Sequence, residues 1–248
     1  GGESFHFDFK RAFINSDLDR IIYVKLPPGY KKFDADGDEL CMALNKSAEG
    51  LKQSGHNWLK KIDDYLLSIG FERCPQEPKL YSKRFKNGKQ CDIMLYIDDL
   101  LGSCDQKGYV EKLLYKLNND FGVVCNHTGP IEHALGINVE WHRDRVVLSQ
   151  SQYIDNMLTK LDMTTCKPRK VPLPTGFDVH AAMEGTVLGP ADIKIFQSFV
   201  GSFLWVSRGT RPDISHHTWL LATCMSAPTQ ECLSAARHLA RYLSGTKH

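Results

Sequence analysis

The 248 residues predict an α+β protein, with an antiparallel sheet and two helices in the first half and a mostly helical second half. Three observations carry that prediction. Residues 4–9 alternate around Phe5, Phe7 and Phe9, Asn87-Gly88 separates two apolar runs, and apolar residues recur at helical spacing from Asn57 and again from Tyr109.

In chain order, the first alternation reads as a strand packed on one face, which places Asp8 on the other. Ile21 to Leu26 is a short β-branched run stopped by Pro27-Pro28-Gly29, and Asp34 to Asp38 reads as a turn around Gly37. Trp58, Ile62, Tyr65, Leu66 and Ile69 recur at helical spacing, with Lys60, Lys61, Asp63 and Asp64 between them, until Gly70 stops the pattern. Leu80 to Phe85 and Cys91 to Ile97 form a hairpin across Asn87-Gly88, and that hairpin delivers Asp98 and Asp99. A helix from Tyr109 to Phe121 follows, burying Val110, Leu113, Leu114 and Leu117.

The second half begins with a hairpin, Ala134 to Glu140 and Val146 to Ser149, turning at Arg143-Asp144. Ser151 to Leu161, Ile193 to Ser207 and Thr229 to Leu243 read as helices, and the Pro- and Gly-rich stretch from Lys167 to Pro190 reads as a long loop. The change of character places a domain boundary near residues 126 to 150.

With 42% hydrophobic and 24% charged residues, the chain can build one large core or two modest ones. No apolar run approaches the roughly 20 residues of a membrane helix. The start, Gly1-Gly2-Glu3-Ser4, lacks the pattern of a signal peptide, so no membrane partner and an intracellular setting are expected. The eight cysteines are scattered singly, which suggests neither a zinc ribbon nor a disulfide framework. A formal charge of +2 permits nucleic-acid binding without arguing for it. Basic clusters stand at Lys83, Arg84, Lys86 and Lys89, at Lys167, Arg169 and Lys170, and at Arg208, Arg211, Arg237 and Arg241. Each is more often a solvated face than a phosphate track.

Tyr96-Ile97-Asp98-Asp99-Leu100 puts two carboxylates at the end of an apolar strand, where unpaired charge is costly to bury. A hard cation resolves that cost, because magnesium takes one or two carboxylates together with substrate phosphates and water. Asp8, on a neighbouring strand, qualifies as a third ligand. An Asp pair after a strand equally starts a turn or caps a helix, so the residues alone leave both readings open.

Tyr96-Ile97-Asp98-Asp99 resembles the Tyr/Phe-x-Asp-Asp box of reverse transcriptases, and four further matches stand in the same order. Asp8-Phe9-Lys10-Arg11-Ala12-Phe13-Ile14-Asn15 resembles the Asp-Val-Lys-Thr-Ala-Phe-Leu-Asn segment of copia-type retrotransposons. Gly50-Leu51-Lys52-Gln53-Ser54 with Trp58 resembles their Gly-Leu-Lys-Gln-Ser box. Leu135-Gly136-Ile137 with Val147-Leu148-Ser149-Gln150 and Tyr153 is similar to the segment leading into the thumb. Gly201-Ser202, Thr210-Arg211-Pro212-Asp213-Ile214 and Arg241-Tyr242-Leu243-Ser244-Gly245-Thr246 are similar to the last boxes.

The resemblance implies a right-hand polymerase: a palm with incomplete fingers over residues 1–130, a primer-grip-like hairpin over 131–150, and a helical thumb or connection region over 151–248. It implies RNA-directed DNA synthesis on an RNA or DNA template-primer with dNTP as substrate. Asp8, Asp98 and Asp99 match the catalytic metal ligands for two Mg2+ ions, with Mn2+ as a substitute. Phe13 matches the aromatic under the incoming sugar, Lys52 and Gln53 match nucleotide-binding positions, and Leu135 and Gly136 match the primer grip. Polyprotein neighbours, ribonuclease H and integrase, are implied, as is residence in a cytoplasmic virus-like particle or the nucleus.

The chain departs from the pattern at Glu49, where the family commonly has Tyr and where a carboxylate would repel a triphosphate. The family's basic fingers hairpin has no counterpart before Asp8, and the chain stops at Thr246-Lys247-His248. These departures raise a rival expectation, a catalytically inactive remnant that folds and holds nucleic acid, and the expectation that this chain polymerises poorly.

Overall fold

The structure, a computed structural model, describes residues 2–247; Gly1 and His248, which the readings of the two chain ends included, lie outside the described residues. It is a mixed α/β protein with antiparallel sheets and, among the described residues, seven α-helices. The chain forms two compact units, one up to Ile131 and one from Glu132. No helix among the described residues is long and apolar enough to cross a membrane.

The first unit contains β1 (Glu3–Phe9), β2 (Tyr23–Lys25), β3 (Cys41–Ala43), α1 (Ser54–Ser68), β4 (Glu72–Arg73), β5 (Leu80–Arg84), β6 (Gln90–Tyr96), β7 (Asp99–Cys104), α2 (Tyr109–Asn119) and β8 (Cys125–Gly129). A single 3-10 turn, Phe13–Asn15, follows β1. Six strands form an antiparallel sheet in the order β4-β5-β6-β7-β1-β8, and β2 and β3 pair separately. The period of two in β1 sends Phe5, Phe7 and Phe9 into the core and leaves His6 and Asp8 on the opposite face. Across that core, α1 supplies Trp58, Ile62 and Leu66, and α2 supplies Val110, Leu113 and Leu117. Both helices therefore cover one face of the sheet. Close packing shows at Gly102, where an added Cβ would lie 2.2 Å from Cζ of Phe5 and 2.8 Å from the Asp92 carbonyl oxygen.

Three readings of the first unit are corrected. Helix α1 starts at Ser54 rather than Asn57, with Ser54 Oγ donating to the Ala48 carbonyl at 2.6 Å. The strands β3, β4, β7 and β8 are additional to those read from the sequence. Asp63, read as a polar spacer, is only 8% exposed. Arg73 Nε donates to its Oδ1 at 3.0 Å and the Tyr81 hydroxyl to the same oxygen at 2.8 Å, while a second Arg73 nitrogen reaches Oδ2. Burial first, then the Asp63 carboxylate, holds the Tyr81 phenol above its ordinary value, so it remains a donor.

Removing the carboxylate strands the Tyr81 hydroxyl in the core, whereas Arg73 can turn to solvent. Asp63→Ala is expected to destabilise the protein by about 3 kcal/mol, measured by denaturant unfolding. A loss below about 1 kcal/mol would show that the network contributes little.

The second unit contains β9 (His133–Ala134), β10 (Ile137–Trp141), β11 (Val146–Ser149), α3 (Ser151–Lys160), α4 (Val179–Met183), α5 (Pro190–Gly209), α6 (Ser215–Thr223) and α7 (Gln230–Thr246). The three strands form a sheet in the order β11-β10-β9. What reads as one strand from Ala134 to Glu140 is broken at Leu135 and Gly136, with φ of 53° and 76°. Positive φ at both central residues makes this a two-residue reversal, a conformation strained for Leu and easy for Gly. The long loop contains α4, which begins where the Asp178 carboxylate accepts from His180 N at 2.8 Å. Helix α6 is likewise additional to the elements read from the sequence.

Phe196, Phe199, Val200 and Phe203 of α5 pack with Leu233, Ala236, Leu239 and Leu243 of α7 and with Ile154 and Leu158 of α3. At one edge Arg211 grips Asp213 through two bonds, 2.9 and 2.7 Å, and donates to the Thr246 carbonyl at 3.0 Å. Tyr242 donates to the same Asp213 carboxylate at 2.8 Å. The segment entering α6 is thereby tied to the end of α7.

Candidate active site

The site begins with a register. In the antiparallel pair of β1 and β7, Asp8 lies opposite Asp99, and on its other side Asp99 lies opposite Tyr96 of β6. Cross-strand partners project to the same face of a sheet, so Asp8 and Asp99 share the face not covered by α1 and α2. Asp98 sits in the two-residue turn between β6 and β7, and its carbonyl accepts from Phe9 N at 2.9 Å. Asp8, Asp98 and Asp99 thus stand at one end of two neighbouring strands.

That turn is strained and held. Ile97 has φ 57°, a rare conformation for a β-branched residue, at a cost of about 1–3 kcal/mol. Trp58 of α1, 1% exposed, donates from Nε1 to the Ile97 carbonyl at 2.7 Å. Its indole also meets the Phe9 ring edge-on, with centroids 5.1 Å apart. One buried side chain therefore fastens both strand ends.

His6, two residues before Asp8 on the same face, places Nε2 2.7 Å from Asp99 Oδ1. One oxygen of Asp99 is consequently occupied. Among the described residues no three His, Cys, Asp or Glu side chains are gathered closely enough to hold a metal ion by themselves. The carboxylates form an open set rather than a closed cage. The thiol of Cys125, register partner of Phe9, is pushed up to about 12 by burial and, secondarily, by the Asp8 charge.

The other sequence-derived residues are distributed unevenly. Phe13, partly buried in the 3-10 turn after β1, lines a cavity of about 320 Å³ with Trp58, Lys79, Leu95 and Ile97. Gln53 is the residue before α1 and makes no side-chain cap; Lys52 and Glu49 are exposed. Leu135 and Gly136 form the β9–β10 reversal of the second unit, where a Cβ on Gly136 would lie 3.8 Å from Nε1 of Trp205.

Three contributions escaped the sequence reading. The contact from His6 was available from the same period of two that singles out Asp8. The bond from Trp58 to the turn had no local signal. Lys10 and Arg11, which line a second cavity of about 380 Å³, were given no role of their own within the Asp8 to Asn15 segment. Arg11 has φ 56°, and the Asn15 side chain donates to the Lys10 and Arg11 carbonyls at 3.1 and 2.9 Å.

Comparison with known proteins bears on what this arrangement does. Residues 3–175 match the family model described as reverse transcriptase (RNA-dependent DNA polymerase). The chain is 31% identical over 244 residues to the retrovirus-related Pol polyprotein from transposon TNT 1-94 of Nicotiana tabacum, covering 96% of this chain and 18% of the polyprotein. Over 240 residues it is 31% identical to the corresponding polyprotein from transposon RE1 of Arabidopsis thaliana, covering 96% of this chain and 16% of that one. The putative transposon Ty5-1 protein of Saccharomyces cerevisiae is 30% identical over 241 residues, 97% of this chain and 76% of the yeast protein. The chain therefore spans less than a fifth of the plant polyproteins it matches.

Proposed function

Because this chain belongs to the reverse transcriptase family of copia-type retrotransposons, we propose that it is the polymerase core of such an element and copies RNA into DNA. In this reading residues 1–130 are the palm with part of the fingers, 131–150 the primer-grip hairpin and 151–248 the helical thumb or connection region. The observation that carries it is the pairing of Asp8 with Asp99 beside the Asp98 turn on the uncovered face of the sheet. A duplex template-primer would lie on that face, and a dNTP would enter beside Phe13.

The donors suit a hard divalent cation. All three groups are carboxylates, and magnesium binds through one or two of them with water and substrate phosphates completing the shell, so an open set fits it. Held by these carboxylates, such ions would supply charge neutralisation for phosphoryl transfer. Manganese takes the same oxygen donors.

The chain's own residues do the positioning. Asp8, Asp98 and Asp99 would hold the cations, while His6 Nε2 engages one oxygen of Asp99. Trp58 fixes the Ile97-Asp98 turn, so the carboxylates need little reorganisation when substrate arrives. Lys10 and Arg11 supply positive charge to the triphosphate. The Phe13 ring closes the space beneath the sugar and excludes a 2′-hydroxyl, and Lys52 and Gln53 stand near the nucleotide. The reversal at Leu135-Gly136 supports the primer strand.

Primer extension tests this directly. With an RNA template, a DNA primer and dNTPs, slow product is expected with magnesium, as the departures at Glu49 and before Asp8 imply, and none with a chelator. Duplex binding without extension in any divalent metal would replace the polymerase reading with that of an inactive element remnant.

A further inference from the structure

The second unit holds a concave basic site that has no part in the carboxylate chemistry. A cavity of about 480 Å³ opens beside α7, with Arg169, Arg237, His238 and Arg241 around it, Phe177 among its apolar surfaces, and Glu231 as its one carboxylate among the described residues. We infer that this cavity binds a phosphate group of a nucleotide, presented by a nucleic-acid strand. The nucleic-acid source rests on the polymerase reading. The phosphate chemistry does not.

The cations come from two places in the sequence. Arg237 and Arg241 stand four residues apart on α7 and so share a face, an arrangement that like charges disfavour unless an anion offsets it. Arg169 arrives from the loop after α3, and its placement is built: Arg241 Nε donates to the Lys167 carbonyl at 2.7 Å, and Arg169 N donates to the Arg241 carbonyl at 3.1 Å. The loop is thereby fastened to α7 with its guanidinium beside the other two.

Structural needs do not exhaust these groups. Among the described residues, no salt bridge engages Arg169, Arg237 or Arg241, although other arginines do pair: Arg73 with Asp63, Arg145 with Asp144 and Arg211 with Asp213. Glu231 pairs with none of the three. His238 senses the surplus: burial first, and then the charges of Arg169 and Arg241, hold it below its ordinary value. Its Nε2 lies 3.2 Å from the Val171 carbonyl oxygen, which fixes the ring at the rim.

A solvated basic face is convex and presents its guanidiniums separately. Here they surround one hollow whose volume falls in the range of small-ligand sites, larger than a phosphate alone needs. Planar guanidinium forks match phosphate oxygens, and Phe177, Met163 and Pro174 add apolar surface that a sugar or base can cover.

The test uses the whole chain with Arg169→Glu, Arg237→Glu and Arg237→Lys, leaving Arg241 intact because it holds the loop. Binding is measured by fluorescence anisotropy with labelled single-stranded and duplex oligonucleotides across a salt series. A parallel titration uses inorganic phosphate and a mononucleotide. Each charge reversal is expected to weaken oligonucleotide binding about tenfold and to lower the log–log salt slope by about one, with Arg237→Lys retaining most affinity. The phosphate and mononucleotide arms need no primer extension, so the site stands or falls apart from polymerase activity. Loss of mononucleotide and phosphate binding with oligonucleotide affinity unchanged would keep the phosphate site and overturn its nucleic-acid source. Unchanged binding in every arm, with thermal unfolding also unchanged, would overturn the proposal.

Discussion

Asp98→Asn is expected to lower primer extension by about 10³-fold or more while leaving the folded state as stable as before. The substitution removes one unit of negative charge from the strand end at nearly constant volume. It also spares the backbone: the bond from Phe9 N to the Asp98 carbonyl, 2.9 Å, and the Trp58 bond to the Ile97 carbonyl, 2.7 Å, involve no side-chain atom of Asp98. Asp98 is exposed in its turn, so its carboxylate contributes no packing. A loss of activity with an unchanged melting temperature therefore isolates the charge. Asp8→Asn is expected to behave alike, and extension that survives both changes would remove the carboxylates from the mechanism.

Much of the sheet was legible because β1 obeys a local rule. Phe5, Phe7 and Phe9 are at most 1% exposed, and their alternation alone predicted which face carries Asp8. Helices α1, α2, α5 and α7 were legible for the same reason, each burying one stripe. Strand β7 was not, because Leu100, Leu101 and Gly102 are all buried and show no alternation. Strand β8, Cys125-Asn126-His127-Thr128-Gly129, carries almost no apolar residues to alternate. Helix α6 spreads Trp219, Leu220 and Leu221 among Ser215, His216, His217 and Thr218 without a clean stripe.

The site divides along the same line. A motif placed Asp98 and Asp99 at a turn, but the pairing of Asp8 with Asp99 joins residues about 90 positions apart and is decided by sheet register, which no local pattern reports. The reversal at Leu135 was hidden because Leu is a poor residue for positive φ, so the local rules favour an unbroken strand there. Asp63 defeated the helical pattern similarly. Its partners Arg73 and Tyr81 lie on β4 and β5, and only the assembled sheet brings them to it.

Phe13→Val is expected to raise ribonucleotide incorporation relative to deoxyribonucleotide incorporation by on the order of 10²-fold. In the proposed role discrimination is steric, and shortening the side chain removes the atoms that a 2′-hydroxyl would strike. Local structure holds the ring. The 3-10 turn that carries it is closed by Ser16, whose N and Oγ both donate to the Phe13 carbonyl, at 3.1 and 2.8 Å. Gly55 at the start of α1 leaves room beside the ring, since a Cβ there would lie 3.9 Å from its Cε1. Phe13 is only partly buried, so Val should cost about 1 kcal/mol of stability, well short of the 3–5 kcal/mol of a fully buried Phe. Sugar selectivity and folding can thus be read separately, by kcat/KM for each nucleotide and by thermal unfolding. Relaxed selectivity with a small stability loss would establish Phe13 as the sugar gate, whereas unchanged selectivity with a loss near 4 kcal/mol would make it a core residue of the first unit.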